Sequence, residues 1–166
     1  AFLQEIIDNN SNLNMDDKII ALNMRNHPKV RKWSYNQKSI SKKEHFGFIE
    51  NLENEMDRRY FLVKQQNNII GSINFTKINL HNSVEFGLYT NPFMQLRGAG
   101  TLLEAVASQY AFIELSVKKI ISEVFSDNER SINFFKKRGF KLVNTRKINY
   151  QNILYMEKEK ILEDIQ

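Results

Sequence analysis

With 166 residues and 42% hydrophobic content, the chain can bury a sizeable core, and its length argues for a single domain over 1–166. It holds no cysteine, which excludes disulfides, thiolate metal sites and a cysteinyl acyl-enzyme. The net charge of +5 is interleaved with acids and forms no aromatic–basic stripe, so an anionic small molecule is expected as partner rather than nucleic acid.

No apolar run is long enough to span a membrane and no signal-peptide pattern is visible, so a cytoplasmic protein without membrane contact is expected. In chain order, Asp16 to Arg25 carries Ile19, Ile20, Leu22 and Met24 at helical spacing, and His27-Pro28 breaks it. Ser41 to Asn51 is a second helix, with Ser41 and Glu44 in a capping-box pattern. Tyr60 to Lys64 and Ile69 to Lys77 read as a hairpin, and Val84 to Tyr89 as the next strand. Thr101 to Leu115 is a long helix, Ile120 to Phe125 a strand and Glu129 to Arg138 a helix. Lys141 to Lys147 and Asn152 to Lys158 close the chain as a hairpin, and Glu159 to Gln166 is expected to be a tail.

The stretch Gln95-Leu96-Arg97-Gly98-Ala99-Gly100-Thr101 lies between a strand and the strongest helix. Glycines let the backbone approach a ligand, first-turn N–H groups lack internal partners, and the helix dipole favours an anion. A pyrophosphate suits such a loop. No Lys-Ser/Thr pair follows the glycines, which excludes a nucleoside-triphosphate P-loop. A second segment runs from Val124 to Phe140. Asp127 or Asn128 can cap its helix, Lys136 to Arg138 suit the last turn, and Gly139 suits the residue after it.

These two segments resemble the signatures of the GNAT superfamily of N-acetyltransferases. Gln95, Gly98 and Gly100 match Gln/Arg-x-x-Gly-x-Gly/Ala. Asn128, Ser131, Phe134, Lys137, Gly139 and Phe140 match the second motif. The resemblance implies an α+β fold, with a mixed twisted sheet of about seven strands, helices on both faces and a splay between the Val84 and Ile120 strands. It implies acetyl-CoA as co-substrate, with no metal. The donor would lie along Leu88, Tyr89 and Thr90, on the loop Gln95, Leu96, Arg97, Gly98, Ala99, Gly100 and Thr101, and on Asn128, Ser131, Phe134 and Lys137. It also leaves room for a homodimer. One position departs from the pattern: the tyrosine that commonly protonates the leaving thiolate is Phe135 here.

Arg25-Asn26-His27-Pro28, Trp33-Ser34, the helix bearing His45, Thr76-Lys77-Ile78-Asn79 and Gly87-Leu88-Tyr89-Thr90-Asn91-Pro92 are similar to the acetyltransferases of pseudaminic acid biosynthesis. That family acetylates the 4-amino group of UDP-4-amino-4,6-dideoxy-N-acetyl-β-L-altrosamine, whose product sugar decorates flagellin. Its resemblance puts the UDP-amino-sugar on Arg25, Asn26, His27, Trp33, His45, Thr76, Lys77 and Tyr89. Protein N-terminal acetyltransferases of the ribosomal-protein type share a similar Arg-Asn and Trp pattern and form the alternative. Arginine can grip a diphosphate bidentately, whereas Lys29, Arg31 and Lys32 read as a solvated loop face. Trp33 is read either as a core residue or as a stacking platform. Direct transfer needs a base and an acid: His45, Glu85 and Tyr89 are the candidates, with His45 suited by its ordinary pKa and Tyr89 as a substitute for the missing motif tyrosine.

Overall fold

In the computed structural model of the chain, residues 7–9, 13–94 and 96–161 are described. Gln95, first residue of the proposed phosphate loop, and 162–166 of the expected tail lie outside them. Seven strands hydrogen-bond in the order β1-β2-β3-β4-β5-β7-β6. They are β1 (Ile7–Asn9), β2 (Arg59–Gln65), β3 (Asn68–Leu80), β4 (Ser83–Thr90), β5 (Lys119–Phe125), β6 (Lys141–Ile148) and β7 (Gln151–Glu159). Six are the strands read from sequence. The three-residue β1, antiparallel to β2, is too short to leave a periodic signal.

Three connections share one device. Gln66 and Asn67, His81 and Asn82, and Asn149 and Tyr150 all have positive φ, and each pair links two consecutive strands. Two left-handed residues match the right-handed twist of the strands they join, which makes a tight antiparallel turn. The β4–β5 pairing is parallel and joins only Ser83–Glu85 to Lys119–Ile121, although β4 runs on to Thr90 and β5 to Phe125.

The helices are α1 (Met15–Asn26), α2 (Pro28–Arg31), α3 (Lys42–Leu52), α4 (Ala99–Gln109) and α5 (Glu129–Lys137). Asn14 caps α1 by accepting the Asp17 N–H at 2.8 Å. Ser41 caps α3 as expected, accepting the Glu44 N–H at 3.1 Å while its hydroxyl donates to Glu44 Oε1 at 3.1 Å. Two readings need correction. The basic run after Pro28 is a short helix rather than a loop, because Pro28 presets the first helical residue and His27 Nδ1 accepts the Lys29 N–H at 3.1 Å. The long helix also changes pitch, continuing from α4 as a π-helical turn over Tyr110–Glu114, where Tyr110 stacks on Phe75 at 5.3 Å. The tail begins later than expected, since Glu159 ends β7 and the Lys160 N–H donates to the Lys118 carbonyl at 2.9 Å.

Two compact units are distinguished. The first comprises residues up to Asn74 and Leu88–Leu103, and the second comprises Phe75–Gly87 and residues from Glu104 onward. The first has a core cluster of Leu13, Ala21, Met24, Leu62 and Ile69, with Tyr89 packed against it. In the second, Phe86 stacks on Phe140 at 5.6 Å and meets Phe135 edge-on at 5.8 Å. No described helix is long and apolar enough to cross a membrane.

Candidate functional site

In the first unit, Asn91 pins the start of the glycine loop. It is buried, and its N–H and Nδ2 donate to the carbonyls of Ile70 and Ile69, both at 2.8 Å. Its Oδ1 accepts the Phe93 N–H at 2.9 Å. Leu96, Arg97 and Gly98 are then exposed, and Gly98 takes φ +81°, a conformation that costs a side chain but not glycine. The Gly98 carbonyl accepts the Leu102 N–H at 3.0 Å, closing the first turn of α4. The N–H groups of Gly100 and Thr101 precede any intrahelical acceptor and carry the positive end of the helix dipole. A Cβ at Gly98 would meet nothing within 4 Å, so the space over the loop is open. The cradle fits a pyrophosphate.

Gly71 contributes in a way the sequence did not reveal. A Cβ there would overlap the Tyr89 carbonyl oxygen and lie 2.6 Å from Leu103 Cδ1. Only glycine lets β3 pass so close to β4 and to the first turns of α4. A lone glycine inside a strand pattern was the available signal.

In the second unit, Asn128 is the residue that caps α5, accepting the Ser131 N–H on Oδ1 at 3.2 Å. Ser131 and Phe134 are half-buried and Lys137 is exposed. Gly139, at φ +93°, follows the helix, and the Phe140 N–H returns to the Phe135 carbonyl at 2.9 Å. Phe135 is buried among Phe86, Phe134 and Phe140, which lie at 5.8, 5.3 and 5.1 Å. The ring at the position of the missing tyrosine is therefore held in an aromatic cluster. Thr76 is half-buried on β3, and exposed Lys77 donates to Glu85 Oε1 at 2.9 Å. The Glu85 bond raises the Lys77 pKa above its ordinary value.

The other predicted acceptor residues fall in the first unit, where several serve the scaffold. Asn26 uses its whole amide on Ile40: Nδ2 donates to the carbonyl at 2.8 Å and Oδ1 accepts the N–H at 2.7 Å. His27 spends Nδ1 on its cap and meets Phe93 edge-on at 5.2 Å. Trp33 is half-buried rather than in the core, with Lys32 Nζ 4.8 Å over its ring. His45 is buried, and its Nε2 lies 2.9 Å from the Lys18 carbonyl. A carbonyl can only accept, so Nε2 carries the proton and Nδ1 the lone pair. Burial lowers the His45 pKa against the opposing pull of that bond, which keeps the ring neutral at pH 7.

Tyr89 bonds through its hydroxyl to the Ser72 side chain, with the charge of Arg25 and the phenol of Tyr60 nearby. Burial raises the Tyr89 pKa, so the phenol is protonated at neutral pH and can donate. Arg25 donates from Nη2 to the Asn36 carbonyl at 3.0 Å. Ser72 and Tyr60 were not singled out from sequence, because nothing local marks a strand serine or tyrosine as facing a tyrosine elsewhere in the chain. Among the described residues, no cluster of three or more His, Cys, Asp or Glu side chains could hold a metal ion.

Residues 19–140 match the Acetyltransferase (GNAT) family. The chain is 34% identical over 144 residues to the acetyltransferase PseH of Campylobacter jejuni, covering 87% of this chain and 89% of that one. The crystal structure of C. jejuni PseH in complex with acetyl coenzyme A superposes with a TM-score of 0.76 at 26% identity, over 93% of this chain and 98% of that one. Spermidine N(1)-acetyltransferase of Vibrio cholerae is 30% identical over 103 residues, covering 58% of this chain and 60% of its own. The glycine cradle, the capped α5 and this match agree with one another: the chain belongs to the GNAT acetyltransferase family and is an N-acetyltransferase that takes its acetyl group from acetyl-CoA.

Proposed function

We propose that the chain acetylates the 4-amino group of a UDP-linked 4-amino-4,6-dideoxy-N-acetyl-hexosamine, UDP-4-amino-4,6-dideoxy-N-acetyl-β-L-altrosamine, in the making of pseudaminic acid for flagellin. The observation that carries the reading is the breadth of the likeness to PseH, 144 residues, against 103 for the spermidine enzyme. The wider match takes in more of the chain outside the shared donor motifs, and acceptor choice lies there. A polycation such as spermidine also fits poorly beside the basic run Arg25, Lys29, Arg31 and Lys32.

Acetyl-CoA supplies the activated thioester. Transfer is direct, since no cysteine exists to form a thioester with the enzyme. The backbone amide of Leu88 or Tyr89, on the part of β4 that does not pair with β5, polarises the carbonyl. Tyr89 serves as proton donor in place of Phe135. His45 Nδ1 and Glu85 remain the two candidates for drawing the proton from the amine.

CoA release followed by thiol titration tests the assignment, because a protein without cysteine gives no background. The UDP-amino-sugar should turn over, while spermidine and ribosomal-protein N-terminal peptides should not. Turnover with peptides or spermidine alone would overturn the acceptor and leave the acetyl-CoA chemistry standing.

A further inference from the structure

Two arginines of the first unit are held in an arrangement that a scaffold alone does not explain. Arg25 lies in the last turn of α1 and Arg31 ends α2. Each spends one edge of its guanidinium on the segment that leads to α3. Arg25 Nη2 donates to the Asn36 carbonyl at 3.0 Å, and Arg31 Nη1 to Ser39 Oγ at 2.7 Å. Asn26 fastens the same segment through Ile40. Each arginine keeps a second nitrogen, Arg25 Nη1 and Arg31 Nε, that is buried and has no hydrogen-bond partner among the described residues. Neither guanidinium forms an ion pair among those residues, and the charge of Arg31 is felt at Arg25.

Unpaired buried donors are uncommon, and two like charges that share a partly dry site repel each other. Water could satisfy the N–H groups but would not cancel the charge. One ligand does both: an anion with several acceptor oxygens set to meet two forked donors, which is the chemistry of a phosphate or diphosphate. The phenols of Tyr60 and Tyr89 lie near the same guanidinium, and the Glu55 carboxylate that acts on Tyr60 is paired with Arg58 at 3.3 Å. Burial raises the Tyr60 pKa, so it too stays neutral.

We infer that Arg25 and Arg31 together form a diphosphate-binding subsite that grips the nucleotide-linked acceptor, with Arg31 as a specificity residue. The inference rests on the reading of the acceptor as a nucleotide-linked sugar. It turns Arg31 from part of a solvated basic face into half of a clamp, and it gives the cationic end of α1 and α2 a task distinct from the glycine loop.

The diphosphate could belong to the acceptor or to CoA, and the experiment separates them. Binding of UDP, inorganic pyrophosphate and CoA is measured by calorimetry on the wild type, Arg31→Gln, Arg31→Lys and Arg25→Gln, with circular dichroism and Tm as folding controls. The expected result is that UDP binds wild type whether or not CoA is saturating. Arg31→Gln should weaken UDP about tenfold or more, and Arg31→Lys by less, while CoA affinity stays within about twofold. In turnover, Arg31→Gln should raise KM for the UDP-amino-sugar with kcat nearly unchanged, the mark of lost uniform binding. Equal UDP affinity in wild type and Arg31→Gln would overturn the subsite, as would UDP or pyrophosphate binding that CoA abolishes. If UDP binding depends on Arg31 but no UDP-amino-sugar turns over, the subsite stands and the proposed acceptor falls.

Discussion

Arg138 Nε donates to Glu104 Oε2 at 2.6 Å, fastening the end of α5 to α4 through a carboxylate with no solvent exposure. The other oxygen, Oε1, accepts from Lys158 Nζ and Ser108 Oγ, each at 2.7 Å. Burial pushes the Glu104 pKa up, but the bonds from Lys158, Ser108 and Arg138 outweigh it and hold the carboxyl below its ordinary value. Removing one partner of a buried pair leaves the remaining charges uncompensated. Glu104→Ala is expected to lower stability by about 3–5 kcal/mol. Because the folded pKa is depressed, the contribution is complete above the unfolded pKa of about 4.5 and is lost as pH falls through the folded value. Urea unfolding at several pH values checks both points: the gap between wild type and variant should be constant near neutrality and shrink in acid.

His45 is the second pH-dependent group. Its folded pKa lies below the ordinary 6.5, so its stabilising effect is full above that value and is lost as pH falls through the folded one. His45→Phe removes the titration and strands the Lys18 carbonyl, at a cost of about 1–3 kcal/mol. Between pH 7 and 5 the wild type should lose more stability than the variant. Parallel slopes would show that another group sets the acid response.

Gly71 and Gly98 fail for different reasons. At Gly71 an added methyl strikes backbone, so Gly71→Ala should cost about 1–3 kcal/mol, or more, and weaken acetyl-CoA binding by displacing β4 against α4. At Gly98 space is available but φ is +81°, so Gly98→Ala should cost only about 1–2 kcal/mol of strain. Thermal unfolding and CoA titration of the two variants should therefore diverge, with Gly71→Ala the worse in both.

Tyr89→Phe should reduce kcat by about a hundredfold if its hydroxyl is the proton donor, with KM for acetyl-CoA within about twofold. Restoring the family tyrosine at Phe135 should not rescue it. The added oxygen must be accommodated next to Phe86, Phe134 and Phe140, and overpacking such a cluster costs about 1–3 kcal/mol. Steady-state kinetics on both variants, with Tm for the second, provide the check. A kcat change below twofold for Tyr89→Phe would remove it from the chemistry.

Much of the donor side was legible in the sequence because its determinants act over a few residues. The Ser41–Glu44 cap, the Asn128 cap and Gly139 behind α5 each depend on neighbours within one helical turn. The order of strands and helices followed from periodicity, since burial on one face imposes a repeat of two or about 3.6. The four-residue α2 and three-residue β1 escaped because neither is long enough to show a period.

Which polar groups are spent on the scaffold depends on contacts between segments far apart in the chain. Asn26, His27 and His45 stand out in sequence as site candidates, and the fold also gives each a scaffold bond, to Ile40, Lys29 and Lys18. Glu104 reads as an ordinary helix acid until residues 34 and 54 positions further along arrive to neutralise it. Arg31 reads as a solvated cation, whereas its Nε is buried and has no hydrogen-bond partner among the described residues, with Arg25 nearby. Local order is set by propensity and pattern along the chain. The charge state and availability of a side chain are set by whatever the fold brings against it from far away, and in a low-dielectric interior that neighbour decides the energy.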